Sequence, residues 1–172
     1  MALRNIGLWA VEGFELAFSL AKFCCCIHVT GSYIMFPALA MGPSMLPTID
    51  LNGNVIIVER ASVWLQKVSR GDMVVLTSPE DPNKQVIKRI VGMEGDTVTY
   101  LIKPGESDEC QTIVVPKGRV WVQGDNIHDS RDSRVFGAIP YGLVHGKLFW
   151  RVRMHFLQPS LSLSFSSFLL VC

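Results

Sequence analysis

The run from Phe14 to Phe36, FELAFSLAKFCCCIHVTGSYIMF, constrains this chain more than any other stretch. It is apolar over about the length a helix needs to cross a hydrocarbon core of about 30 Å. Glu15, Lys22 and His28 interrupt it, and Gly31 and Pro37 weaken its end. Three structures would satisfy such a run: a single-pass anchor, a cleaved signal peptide, or an amphipathic helix lying in the interface. Arg4 is the only early basic residue and Glu12 and Glu15 follow it, the reverse of a signal-peptide amino end. Residues 1–41 are therefore expected to form an N-terminal membrane anchor helix, with an interfacial helix as the other reading. A chain of 172 residues, 49% of them hydrophobic, leaves room for one further domain with its own core.

Beyond residue 41 the periodicity changes. NVIIVER, GDMVVLTS, KQVIKRIVG, DTVTYLI, TIVVPKG, RVWVQGD and GKLFWRVR are short β-branched or aromatic runs separated by Gly, Asp, Asn and Pro. Their spacing of about ten to fifteen residues is that of a mainly β sandwich or barrel. The longest helical pattern there is the tract near Ala61–Lys67. PGESDEC, at 104–110, reads as an exposed loop. The division expected is an anchor over 1–41, a catalytic domain over 42–155 and a tail over 156–172. That tail, FLQPSLSLSFSSFLLVC, alternates Ser with apolar residues in a way that also suits an exposed strand.

The net charge is +1 and the aromatics are not interleaved with Lys and Arg, so nucleic acid is not an expected partner. The five cysteines comprise the contiguous Cys24–Cys26 and the isolated Cys110 and Cys172, which is neither a paired disulfide framework nor a metal-ligand spacing. No metal and no cofactor is expected.

GPSMLPT, residues 42–48, follows the apolar run and holds Ser44 between two prolines. Pro43, Pro47 and Gly42 exclude a regular helix there, which yields either a plain turn or a rigid mount for one hydroxyl. A serine needs a base to become a nucleophile. Among the histidines only His128 lies in a polar turn, so one candidate set is Ser44, His128 and Asp129. The other base is Lys88, in VIKRIV. Period-2 alternation puts Lys88 with Val86 and Ile90 on one face and Arg89 with Ile87 and Val91 on the other. A lysine among apolar neighbours is costly to keep charged and becomes a neutral base, unless it snorkels to the strand edge. GDNIHDSRDSRVFG, residues 124–137, then offers either a solvated loop or partners: Asp125 or Asp132 for Arg89, and a serine to orient Lys88.

GPSMLPT with GDMVVLTSP, KRIVGMEGD and GDNIHDSRDSRVFG resembles, in order and spacing over residues 42–153, the boxes of the type I signal peptidase family of membrane-anchored Ser/Lys endopeptidases. GPSM and IPYGLVHGK are most similar to the family's mitochondrial inner membrane branch, subunit 1 type. The resemblance implies a signal-peptidase-like β-sheet or barrel catalytic domain. It implies Ser44 as nucleophile, Lys88 as general base and Ser130 as the residue that orients the lysine. Gly42 stands where some relatives place a hydroxyl that helps bind the oxyanion, leaving more of that task to the Ser44 N–H. Arg89 with Asp125, and Asp132 and Arg134, match structural ion-pair positions.

The implied activity is removal of N-terminal targeting peptides from precursor proteins. The implied place is the mitochondrial inner membrane, with the catalytic domain facing the intermembrane space. The implied partners are precursors with presequences, the lipid bilayer and a paralogous second subunit. Substrate is expected as an extended strand in a shallow apolar groove. The alternatives are a plastid (thylakoid) or bacterial-type signal peptidase in its own membrane, or a non-catalytic membrane-tethered form of the same scaffold. The last arises because mitochondrial members of the family end soon after the last strand with a Trp-Pro segment, where this chain continues RVRMHFLQPSLSLSFSSFLLVC. Self-cleaving repressors also use Ser and Lys on a β fold, but place a DNA-binding helix-turn-helix where this chain has its apolar run.

Overall fold

The computed structural model describes residues 2–51, 54–102, 109–153 and 169–171, and divides the chain into two compact units, residues 1–35 and 36–172. The first is helical. Helix α1 spans Ala2–Val29 and passes into a wider helical turn at Thr30–Ile34. Its segment Gly13–Ile34 is long and apolar enough to cross a membrane, by length and composition. Phe14 stacks on Phe18 one turn away, and the Lys22 ammonium sits 4.2 Å over the Phe18 ring, so this interrupting charge rests on an aromatic face.

The helix does not run to residue 41 as the sequence predicts. From Met35 to Ala40 the backbone is strand β1, and the compact division falls at Met35/Phe36. Pro37 gives the reason: without an N–H, and with its ring against the preceding turn, it cannot continue a helix. The strand was hidden because MFPALA is as apolar as the helix before it, and periodicity cannot separate two apolar elements in one run.

The second unit is mainly β. All seven runs form strands: β2 Asn54–Glu59, β3 Met73–Thr77, β4 Gln85–Gly92, β5 Thr97–Leu101, β6 Cys110–Val114, β7 Arg119–Gln123 and β9 Val144–Arg153. Two further short strands are β8 Ile139–Pro140 and β10 Leu169–Val171. Helices α2 Ala61–Trp64 and α3 Ser133–Phe136 are single turns. Most of the polar loop expected at 104–110 lies outside the described residues, but Cys110 opens β6. Of the tail expected at 156–172, only 169–171 is described, and it is strand.

One sheet has the order β10-β1-β2-β9-β3-β4-β7-β8, and β5-β6 is a separate hairpin. β1 and β10 run parallel, while β2-β9, β9-β3, β3-β4, β4-β7 and β7-β8 are antiparallel. The ladders slip at Ile57/Val58, Val75/Leu76 and Ile90/Gly92, bulges of the kind that bend a sheet. The bent sheet returns on itself, so that β10 also lies against β4.

Both faces of the middle strands are covered. Val75 and Ile87 join one core cluster with Ala38, Ala40, Met45, Ile56 and Val58. Val74, Leu76 and Ile90 join another with Val120, Val122, Ile139 and Val144. Continuous apolar runs such as MVVL are the sequence mark of that double burial. A third cluster packs Tyr100 of the hairpin on Trp121 of β7, ring centroids 4.7 Å apart.

Candidate active site

Ser44 sits in a single 3-10 turn, Pro43–Met45. Gly42 caps that turn at φ 112° and ψ 161°, a conformation open to glycine and strained for a residue with a side chain. Met45, next to Ser44, is buried at 3% exposure in the core cluster that includes Ala38 and Ile87. Burying such a side chain stabilises by about 2 kcal/mol, so the turn is pinned from below while its serine faces the cleft. The turn lies against β4.

β4 carries Lys88, which is 2% exposed. Its neighbours at period 2, Val86 and Ile90, belong to the second core cluster, as alternation along VIKRIV predicts. The side chain does not snorkel. Lys88 Nζ donates to Ser130 Oγ at 2.8 Å. Burial pushes the ammonium pKa down from 10.5 to about 8. Asp132 and Asp129 oppose that shift, while Arg134 and Lys84 add to it.

Two bidentate ion pairs hold the loop that brings Ser130 in. Arg89 Nε and Nη2 donate to Asp125 Oδ1 and Oδ2 at 2.8 and 2.6 Å, and Thr48 Oγ1 donates to the same carboxylate at 2.5 Å. Arg134 Nε and Nη2 donate to Asp132 Oδ1 and Oδ2 at 2.8 and 2.7 Å. Burial works to raise both carboxyl pKa values, but the hydrogen bonds outweigh it and hold both below 3.8. Asp132, fully buried, also accepts from the backbone N–H of Gly124 at 2.9 Å. The residues alone left open which aspartate serves Arg89, and the family resemblance implied Asp125. The structure assigns Asp125 to Arg89 and Asp132 to Arg134.

Two residues with no separate signal in the sequence lock the serine turn to this loop. Asn126 N donates to the Ser44 carbonyl at 3.1 Å, and Asn126 Nδ2 donates to the Pro43 carbonyl at the same distance. Gly124 runs between the two serines. A Cβ on it would lie 2.1 Å from Ser130 Oγ and 2.5 Å from the Ser44 carbonyl oxygen, so only glycine fits. Both lie within GDN, which in one sequence is indistinguishable from any polar turn.

Ser44, Lys88, Gly42 and Asp129 line one cleft of about 340 Å³. It is lined by the apolar Pro43, Val86 and Phe136 together with the polar and charged Ser78, Glu80, Asp81, Lys84 and Arg131. Arg131 and Glu80 among them form an exposed ion pair at 2.6 Å. His128 is exposed and lines a separate hollow with Leu46, Pro47 and Ile127. The structure thus brings Ser44 to Lys88 and Ser130, and puts His128 elsewhere.

A hydroxyl on a rigid turn and a buried amine of lowered pKa, sharing one cleft, can pass a proton between them and attack a carbonyl. On a mainly β domain after an apolar helix, these features define a serine endopeptidase. The sequence pattern of the family described as "Signal peptidase, peptidase S26" matches residues 14–105 and 102–153, and the chain belongs to that family. It is 55% identical to the mitochondrial ATP-independent inner membrane protease subunit 1b of Arabidopsis thaliana, over 82% of this chain and 83% of that one. It is 37% identical to the mitochondrial inner membrane protease subunit 1 of Mus musculus over the same shares. The mitochondrial inner membrane protease subunit 2 of Danio rerio is also 37% identical, over 63% of this chain and 56% of that one.

Proposed function

We propose that this chain removes N-terminal targeting peptides at the mitochondrial inner membrane, with Ser44 as nucleophile and Lys88 as general base. The observation that carries the assignment is the 2.8 Å bond from Lys88 Nζ to Ser130 Oγ, in a cleft that also holds Ser44. Ser130 orients the amine so that its lone pair faces the serine. Neutral Lys88 takes the Ser44 proton as Ser44 Oγ attacks the scissile carbonyl. The resulting ammonium returns that proton to the leaving amine, and an ester to Ser44 remains. Lys88, neutral again, deprotonates water, which frees the presequence acid and restores the serine. The Ser44 N–H donates to the oxyanion, and Gly42, without a hydroxyl, adds no side-chain donor. Arg89–Asp125 and Asp132–Arg134 are positioning pairs that hold the loop.

The relatives' names support the inner membrane as the place and a second, paralogous subunit as the partner. The catalytic domain is assigned to the intermembrane space, where presequences of imported precursors become accessible. The helix Gly13–Ile34 serves as the anchor.

The test is cleavage of an inner-membrane precursor by the full chain in proteoliposomes. Ser44→Ala and Lys88→Ala are expected to lower kcat by at least about a thousandfold, the scale of losing a nucleophile or its base. His128→Ala is expected to leave the rate within about twofold. Loss of activity in His128→Ala with retention in Lys88→Ala would move the site to the histidine.

A further inference from the structure

β1 leads, after Met41 alone, into the Gly42–Ser44 turn. One side of β1 is paired with β2. Its other side would present a row of open N–H and C=O groups, the template on which an extended peptide adds as a strand. In this chain that side is taken. Leu169, Leu170 and Val171 pair in parallel with Ala38, Leu39 and Ala40. The same strand lies against β4, the strand that carries Lys88. It therefore runs between the strand that enters the nucleophile turn and the strand that bears the base, heading the way β1 heads, toward Ser44.

We propose that Leu169–Val171 occupies the strand site on β1 that a substrate peptide needs, so that the chain's own segment competes with substrate in cis. This rests on the peptidase reading of Ser44 and Lys88. The occupant lies beyond the family match, which ends at residue 153. Pairing is through backbone groups, so the competition does not depend on a sequence match between the segment and a presequence.

The strength follows from tethering. A segment on the same chain has an effective concentration of about 1 mM, and a short strand with a free affinity of about 0.1 mM would then fill the site about nine-tenths of the time. Substrate affinity falls by the fraction of sites left open, about tenfold. Occupied and free forms exchange before chemistry, so the effect is on KM and not on kcat.

The experiment compares the full chain with the full-length double variant Leu169→Pro/Leu170→Pro. N–H directions alternate along a strand, so one of these two prolines removes a donor aimed at β1 whichever way the ladder faces. Among the described residues β10 is a sheet edge whose ladder partner is β1, so no other described ladder is touched. In the variant, the amides of Ala38–Ala40 are expected to lose hydrogen-exchange protection, and KM for the precursor is expected to fall about tenfold at constant kcat. A second pair, each with Ser44→Ala added, measures binding of a fluorescein-labelled peptide spanning the precursor's cleavage site, with about tenfold tighter binding expected when the prolines are present. Equal KM and equal peptide affinity with and without the prolines would overturn the proposal. Tighter peptide binding without cleavage by either active-serine form would uphold it and reject the peptidase reading instead.

Discussion

Cleavage should rise about tenfold between pH 7 and pH 9, because the catalytic form of Lys88 is the neutral amine and burial brings its pKa down to about 8. About 9% of the chains carry a neutral Lys88 at pH 7, half at the pKa and about 91% at pH 9. Below the pKa, kcat/KM should therefore climb nearly tenfold per pH unit, then level. Neighbouring charges sharpen the test. Lys84→Met removes a cation that depresses Lys88, so the inflection should move up, while Asp129→Asn removes an opposing anion and should move it down. The assay is the initial rate at substrate concentrations well below KM, in proteoliposomes over about pH 6 to 10. Stability moves in the same direction as activity, over a higher window. Between pH 8 and 10.5 the unfolded chain holds the proton that the folded chain has released, so stability rises with pH across that window. At neutral pH the buried ammonium then costs roughly 3 kcal/mol relative to a neutral side chain. Lys88→Met should abolish cleavage yet stabilise the domain by about 2 kcal/mol, once about 1 kcal/mol is allowed for the bond to Ser130. A flat pH profile, or an inflection that vanishes in His128→Ala, would refute the reasoning. So would a Lys88→Met chain with a lower urea midpoint than the parent.

Gly124→Ala should cost at least about a hundredfold in kcat, because its methyl needs the space of Ser130 Oγ and the Ser44 carbonyl; circular dichroism should show the sheet retained. Asn126→Ala keeps its backbone bond to Ser44 but frees the Pro43 carbonyl, so about tenfold in kcat/KM and about 1 kcal/mol in urea unfolding are expected to be lost. Asp132→Ala leaves Arg134 buried without its partner and should destabilise by about 3–5 kcal/mol. In the parent, the folded pKa of Asp132 is depressed, so its contribution is present above pH 3.8 and should disappear as pH falls through the lower folded value, read as a falling urea midpoint.

The apolar run, the seven strand-forming runs and the proline-framed serine turn were all legible in the chain, because each depends on sterics and burial within a few consecutive residues. So was the oddity of Lys88: two adjacent cations in VIKRIV, with apolar residues on both alternation faces, left either a buried, neutral lysine or one snorkelling to the strand edge. Strand β1 was not legible, since MFPALA continues the apolar character of the helix and only Pro37 marks the change. The partners of the charges were not legible from the residues alone, where Asp125 and Asp132 look alike and only the family resemblance implied Asp125 for Arg89; which arginine each meets is set by the register of β4 on β7 and by the α3 turn. Gly124 and Asn126 read as ordinary turn residues until the loop is placed against Ser44. Lys88 and Ser130 are 42 residues apart and meet at 2.8 Å because β4 pairs with β7, the strand that leads into the loop carrying Ser130. The pairing of Leu169–Val171 with β1 is of the same kind, a contact between distant backbones that any apolar strand of that length could make. Local chemistry wrote the elements and marked the serine and the lysine; sheet order and register, which are long-range and indifferent to residue type along the ladder, decided that they face each other and what lies between them.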